Sequence, residues 1–278
     1  MIRLGGPVYG YDGDPDKWAA AVKAKEYTAA VCPVDTTADD SIVARFAETA
    51  RQEQIVIAEV GAWSNPLSPD IATRRAAIEK CTASLRLADE IGALCCVNIA
   101  GSRGDKWDGP SELDMLEETF EMIVETVRSI IDAVRPKRTR YAIEAMPWMY
   151  PDSPECYDSL LKAIDREASG VHLDPVNMIN CPSRYFNNAA FLKQCFSVLG
   201  PRIVSCHAKD IILGSELTVH LDECAPGLGH LRYDVYLSEL TRLGRDVPLI
   251  LEHLKTEAEY DTAAEYVRRV AEANGIDV

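Results

Sequence analysis

Hydrophobic positions along the chain fall into short, nearly continuous apolar runs that alternate with longer segments whose apolar residues recur at three- and four-residue spacing. Short runs of that kind read as strands buried on both faces, and the longer segments read as helices with one packed face. The pattern predicts strands at Ile2–Tyr9, Thr28–Val34, Ile55–Val60, Leu94–Ile99, Tyr141–Ala145, Val171–Asp174, Ile203–Ala208 and Pro248–Glu252. The helices predicted between them begin with Pro15–Glu26 behind the cap candidate Asp14, Asp40–Glu53, and Asp70–Ile91 closed by Gly92. Glu112–Val134 follows, stopped by Pro136, then a helix opened by Ser153-Pro154-Glu155, then Asn188–Leu199, Tyr233–Leu243 and Glu257–Asn274. Eight strand–helix units with short connections predict an α/β protein, a closed parallel (β/α)8 TIM barrel forming a single domain over residues 1–278. An open doubly wound sheet is the alternative, but Gly5-Gly6-Pro7 does not fit its phosphate-binding glycine fingerprint.

In such a barrel the active site lies at the C-terminal ends of the strands. Four consecutive strands each end in a polar residue of metal-ligand type: Glu144, Asp174, His207 and Glu252. A carboxylate at the end of an apolar strand is costly to bury unless it is paired, hydrogen-bonded or bound to a cation. Three of them converging on one mouth would repel one another, and a divalent ion removes that penalty. Three carboxylates and one imidazole suit Mn²⁺, Mg²⁺ or Co²⁺ better than a structural Zn²⁺ site. Each acid taken alone is equally well an ordinary barrel-mouth residue bonded to a loop; four in register favour the metal.

Composition narrows the partners. With 29 basic against 44 acidic residues, the net charge is −15, which repels phosphate backbones and anionic lipid, so neither nucleic acid nor membrane is expected as a partner. No run of apolar residues is long enough for a membrane span, and Met1 to Gly10 does not resemble a signal peptide. The nine cysteines contain no CxxC pair, and several lie inside apolar runs such as Ala93-Leu94-Cys95-Cys96-Val97. They read as reduced thiols of a cytoplasmic protein.

Nearly the whole chain, most strongly Tyr141 to Leu254, resembles the xylose-isomerase-like TIM-barrel proteins of the sugar isomerase/epimerase superfamily, which includes ketose 3-epimerases and inosose dehydratases. The residues that carry the resemblance are Ala142-Ile143-Glu144, the Asp-x-x-Asn of Asp174 to Asn177, His207-Ala208-Lys209-Asp210, Ala225-Pro226-Gly227-Leu228-Gly229 and Leu251-Glu252-His253. The resemblance implies one divalent metal ion held by Glu144, Asp174, His207 and Glu252, with Mn²⁺ first and Mg²⁺, Co²⁺ or Zn²⁺ as alternatives. It further implies a sugar or cyclitol substrate, a metal-stabilised enediolate and an acid/base pair formed by Glu144 and Glu252. A homo-oligomer is the habit of such families.

Around this quartet, His172 shares the inward face of its strand with Asp174 and is a candidate substrate contact or a buried structural histidine. Asn177 stands where the ketose-3-epimerase branch tends to carry histidine, and Lys209-Asp210 replaces that branch's glutamate-rich loop. Both are candidate substrate contacts, with pairing to a mouth carboxylate the alternative for Lys209. Trp63, Trp107 and Trp148 follow three of the strands and could wall a sugar, Trp63 and Trp148 being the substrate-binding candidates. Glu59 and Asn98, at strand ends, could bind hydroxyls. His220, His230 and His253 read as loop or surface residues, and Gly227-Leu228-Gly229 as a tight turn rather than a phosphate cradle. The expected activity is isomerisation or epimerisation. The alternatives are a lyase of the same fold, acting on a keto-cyclitol or a 3-keto sugar, an AP-endonuclease-like hydrolase, and a non-catalytic sugar-binding module. Five histidines and the acidic surface speak against the hydrolase.

Overall fold

A computed structural model describes all residues, 1–278. Its strands are β1 (Ile2–Gly5), β2 (Ala29–Ala30), β3 (Val56–Ile57), β4 (Glu59–Gly61), β5 (Cys95–Ile99), β6 (Arg140–Glu144), β7 (Ser169–Leu173), β8 (Ile203–Ala208), β9 (Asp210–Leu213), β10 (Leu221–Cys224) and β11 (Val247–Leu251). Nine of them form one parallel sheet in the order β3-β2-β1-β11-β8-β7-β6-β5-β4. The two end strands are halves of one predicted strand, broken at Ala58. That residue donates its N–H to Ala30 and accepts from Cys95, so the ring closes through it. The result is a TIM barrel of eight strand positions in a single domain.

The helices form because their apolar residues line one face and their ends are capped. Asp14 accepts from the Asp16 and Lys17 amides at the head of the helix Pro15–Ala24, and Ser153 accepts from Cys156 at the head of Pro154–Ile164. Gly92, at φ 81°, ends Ile71–Ile91. Thr256 and Glu259 form a reciprocal capping box before Glu257–Ala273. Every residue of β5, β7 and β11 is buried, as expected of parallel strands covered by helices.

Three expectations need correction. The helix predicted from Glu112 begins at Glu117. The Asp114 carboxylate instead accepts from the Ser102 hydroxyl and the Arg103 amide, holding residues 112–116 as part of a mouth loop. The segment Asp210–Leu231, for which the pattern predicted no strand or helix, contains the antiparallel hairpin of β9 and β10. Finally, two short helices, Pro175–Met178 and Pro182–Phe186, precede the helix Asn188–Leu199.

Candidate active site

The four strand-end residues meet. One donor atom each from Glu144, Asp174, His207 and Glu252 lies within 4.8 Å of all the others. His207 Nδ1 is 3.0 Å from Glu252 Oε2 and 3.3 Å from Glu144 Oε1. Local sequence explains how each is held. Asp174 caps the short helix that Pro175 opens, its Oδ1 accepting from Val176 N at 2.9 Å and Asn177 N at 3.3 Å. This leaves Oδ2 turned into the site, buried and without an aligned hydrogen bond; Glu252 Oε2 is in the same condition. Asn177 donates from Nδ2 to Glu144 Oε1 at 2.9 Å, so it orients an acid of the quartet as well as lining the cavity. Tyrosines from the surrounding helices pin the strand ends: Tyr236 donates to the His207 carbonyl at 2.9 Å and Tyr233 to the Lys209 carbonyl at 2.7 Å.

Lys209 sits among these acids. Its buried ammonium lies 2.8 Å from Glu252 Oε2, 2.9 Å from Asp174 Oδ2, 3.4 Å from Glu223 Oε2 and 3.6 Å from Glu144 Oε1. Burial pushes the Lys209 ammonium toward neutrality, but Asp174, Glu144 and Glu252 outweigh it and raise its pKa well above the ordinary lysine value. His207 behaves alike, lowered by burial and raised further by Glu252, Glu144 and Glu59. Burial likewise raises the Glu252 carboxyl, and His207 and Lys209 more than reverse this, holding it well below the carboxylate range. Asp174 Oδ2 and Glu252 Oε2, buried and faced by the Lys209 ammonium at 2.9 and 2.8 Å, already hold a positive charge between them, and the mainly oxygen donor set of the quartet fits a divalent cation.

Below the quartet is a second buried layer. Glu59 Oε2 is 2.7 Å from His172 Nε2 and 3.2 Å from the Ser205 hydroxyl, which donates to it, while Oε1 is 3.3 Å from His207 Nε2. The rings of His172 and His207 meet edge to face at 4.1 Å. Burial raises the Glu59 carboxyl, but the two imidazoles beside it hold it well below its usual value. A carboxylate on the far nitrogen of a ligating histidine fixes its tautomer and ring orientation. Of the two readings of His172, substrate contact or buried structural histidine, the second holds: it is fully buried in this layer and does not line the cavity over the quartet. Glu59 and Asn98 do not line it either. Asn98 is spent on Ser64 and Cys81, donating to the Ser64 carbonyl at 3.2 Å.

Over the quartet opens a cavity of about 660 Å³, lined among others by Trp63, Trp107, Asp108, Trp148, Asn177 and Lys209. Several lining residues escaped the sequence reading, and two of them, Glu223 and His253, carry charge close to the quartet. Glu223 reaches the cavity from β10. His253, read as a surface residue, has a positive φ of 58° and places Nδ1 3.0 Å from Glu223 Oε1 and Nε2 3.5 Å from Glu252 Oε2. Its hydrogen bond to Glu223 raises its pKa. The signal that could have found it is its place directly after Glu252. His220 and His230 stay outside the cavity. Asp210 binds the hairpin loop back onto itself, accepting from the amides of Ile211, Gly227, Gly229 and Leu231 at 2.8 to 3.1 Å. The glycine pair is thus a turn wrapped around a carboxylate.

A parallel eight-position barrel with a ligand-type quartet at its strand ends defines a TIM-barrel protein with a candidate metal centre. The chain belongs to the Xylose isomerase-like TIM barrel family, whose family model matches residues 19–270. Comparison with curated proteins gave no match. Among solved structures, endonuclease IV from Thermus thermophilus superposes with a TM-score of 0.72 at 15% identity, covering 98% of this chain and 99% of that one. The probable 3-DHS dehydratase AsbF, involved in petrobactin synthesis, from Bacillus anthracis gives 0.70 at 14% identity, covering 98% and 99%. D-psicose 3-epimerase from Clostridium cellulolyticum, solved with D-tagatose, gives 0.68 at 13% identity, covering 99% and 100%. Likenesses at such identities establish the barrel, not the reaction.

Proposed function

We propose that this chain is a divalent-metal-dependent enzyme that removes and returns a proton next to the carbonyl of a keto sugar or cyclitol, giving isomerisation or epimerisation. The observation that supports it most is the convergence of the Glu144, Asp174, His207 and Glu252 donor atoms within 4.8 Å at the barrel mouth. A divalent cation held there, Mn²⁺ before Mg²⁺, Co²⁺ or Zn²⁺, would polarise a bound carbonyl and supply positive charge to the developing enediolate. Glu144 and Glu252 are the acid/base pair. They arrive from β6 and β11, which β7 and β8 separate in the barrel, so they approach a ring over the site from two directions. One takes the proton from carbon and the other returns one to the opposite face. Asn177 orients Glu144 through its amide, and Glu59 orients His207. The charged groups lining the cavity are the acids Asp108, Glu144, Glu223 and Glu252 against Lys209 and His253, a balance that supports an unphosphorylated substrate. No cysteine is paired, which supports a cytoplasmic setting.

A second reading, a lyase, is favoured by Lys209 Nζ at 2.8 Å from Glu252 Oε2. Glu252 would take the proton from carbon, the bond to the departing oxygen would break as the alkene forms, and the Lys209 ammonium would protonate that oxygen. Proton NMR of the metal-loaded protein in D₂O, with a panel of ketoses, inososes and 3-keto glycosides, tests both. Deuterium next to the carbonyl with a new epimer or aldose is expected, and it should vanish in Glu144→Gln and Glu252→Gln. Deuterium accompanied by an alkene or a released alcohol would move the assignment to the lyase. No exchange with any member of the panel would refute the proton-abstraction reading.

A further inference from the structure

The cavity above the quartet is larger and more apolar than one sugar ring requires. At about 660 Å³ it has the size that houses a drug-sized ligand. Its polar lining is spread from the almost fully covered Glu144 and Lys209 to the more exposed Asp108, Asn180, Glu223 and His253. Its outer part is lined by Trp107, Trp148, Met146, Ile179, Val219 and Leu221, of which Trp107 and Trp148 are each 39% exposed and Val219 51%. Directly against the faces of Trp107 and Trp148 and the side chains of Val219 and Leu221, a hydroxyl would lose water to groups that offer it no hydrogen bond. A flat apolar group gains both the burial and the aromatic contact.

The aromatic wall is also held in place before any ligand arrives. The Trp148 indole N–H donates to the Asp108 carbonyl at 3.0 Å, joining the loops after β5 and β6. Tyr150 ties the same loops by donating to the Met115 carbonyl at 2.9 Å and packing edge-on against Phe120 at 5.6 Å. Trp148 thus spends its one polar atom on a loop and keeps much of its ring uncovered. The acidic balance of the lining disfavours an anionic substituent.

We infer that the ligand is a sugar or cyclitol ring bearing an uncharged aromatic substituent, with the ring at the quartet and the substituent against Trp107, Trp148, Val219 and Leu221. This rests on the proton-abstraction reading only for the placement of the ring. The test is titration of the metal-loaded protein with phenyl β-D-glucopyranoside and methyl β-D-glucopyranoside, followed by tryptophan fluorescence and calorimetry. The phenyl glycoside is expected to bind about tenfold more tightly or better. That preference should collapse toward unity in Trp148→Ala and in Leu221→Asp, the second variant guarding against a loop that fails to order in the first. Equal affinities, a preference that survives both variants, or binding of neither glycoside would overturn the inference. Deuterium exchange into unsubstituted ketoses is a separate readout, so the aromatic subsite and the proton-abstraction reading can fail independently.

Discussion

Asp210 opens β9 two residues after β8 ends at Ala208, and removing its carboxylate should release the hairpin that lines the cavity. Four backbone N–H groups depend on it, those of Ile211 and Leu231 being buried and those of Gly227 and Gly229 half-buried. In Asp210→Ala the half-buried pair can turn to water, while each buried amide left without an acceptor costs about 1–3 kcal/mol. The expected loss is therefore about 2–6 kcal/mol, a large share of a domain's stability. If the hairpin detaches before the barrel melts, the global loss is smaller and the damage stays local. Urea denaturation and hydrogen exchange by mass spectrometry separate the two. Peptides covering residues 211–231 should lose protection first, while β5 to β8 keep theirs. Asp210→Asn keeps one oxygen acceptor but sets an amide donor against two N–H groups, so it should fall between wild type and alanine. Gly229→Ala should resemble Asp210→Ala, since a Cβ there would meet Asp210 Oδ1 and the Ile211 carbonyl at 2.4 Å. Stability within about 0.5 kcal/mol of wild type, with unchanged exchange in residues 211–231, would refute this account of the loop.

Glu59→Gln should weaken Mn²⁺ binding about 10–100-fold with the fold intact, because His207 loses the carboxylate that orients it; chelator competition measures this, and wild-type affinity would remove Glu59 from that role. Lys209→Met should tighten Mn²⁺ binding by about tenfold or more, since an ammonium no longer shares the carboxylates with the ion, and weaker binding in calorimetry would contradict it. Asp89 Oδ1 accepts from the Lys137, Arg138 and Thr139 amides ahead of β6. Burial raises its carboxyl, and those bonds outweigh burial and depress it. A depressed folded pKa means stability present in full above the ordinary value of about 4 and lost as pH falls below it. The difference in melting temperature between wild type and Asp89→Asn should therefore shrink from pH 6 toward pH 3, and a difference constant with pH would refute it.

The barrel was legible because most of its parallel strands are largely apolar runs, β5, β7 and β11 buried throughout, and the quartet because each member is a polar residue closing such a run. The same signal left His172 open between a substrate contact and a buried structural residue, and did not show that Glu59 would bind both imidazoles rather than line the main cavity. Whether a polar residue reaches the mouth or lies a layer below depends on the stagger of neighbouring strands, which one strand's sequence does not carry. Asn177 was legible as a site residue, but its bond to Glu144 follows from the turn that Asp174 and Pro175 impose. Glu223 was hidden because β9 and β10 are too short for a readable alternation and are held by Asp210 rather than by their own pattern. His253 was hidden because its place depends on a left-handed backbone conformation, uncommon outside glycine, that the sequence does not announce.

That four strand ends form one divalent-cation site is tested most directly by calorimetric titration of chelator-treated protein with Mn²⁺, alongside Asp174→Asn and His207→Ala. One ion per chain is predicted for wild type, with affinity strongly reduced in both variants while their circular dichroism is unchanged. Full stoichiometry at wild-type affinity in both variants, or no binding by the wild type, would contradict it.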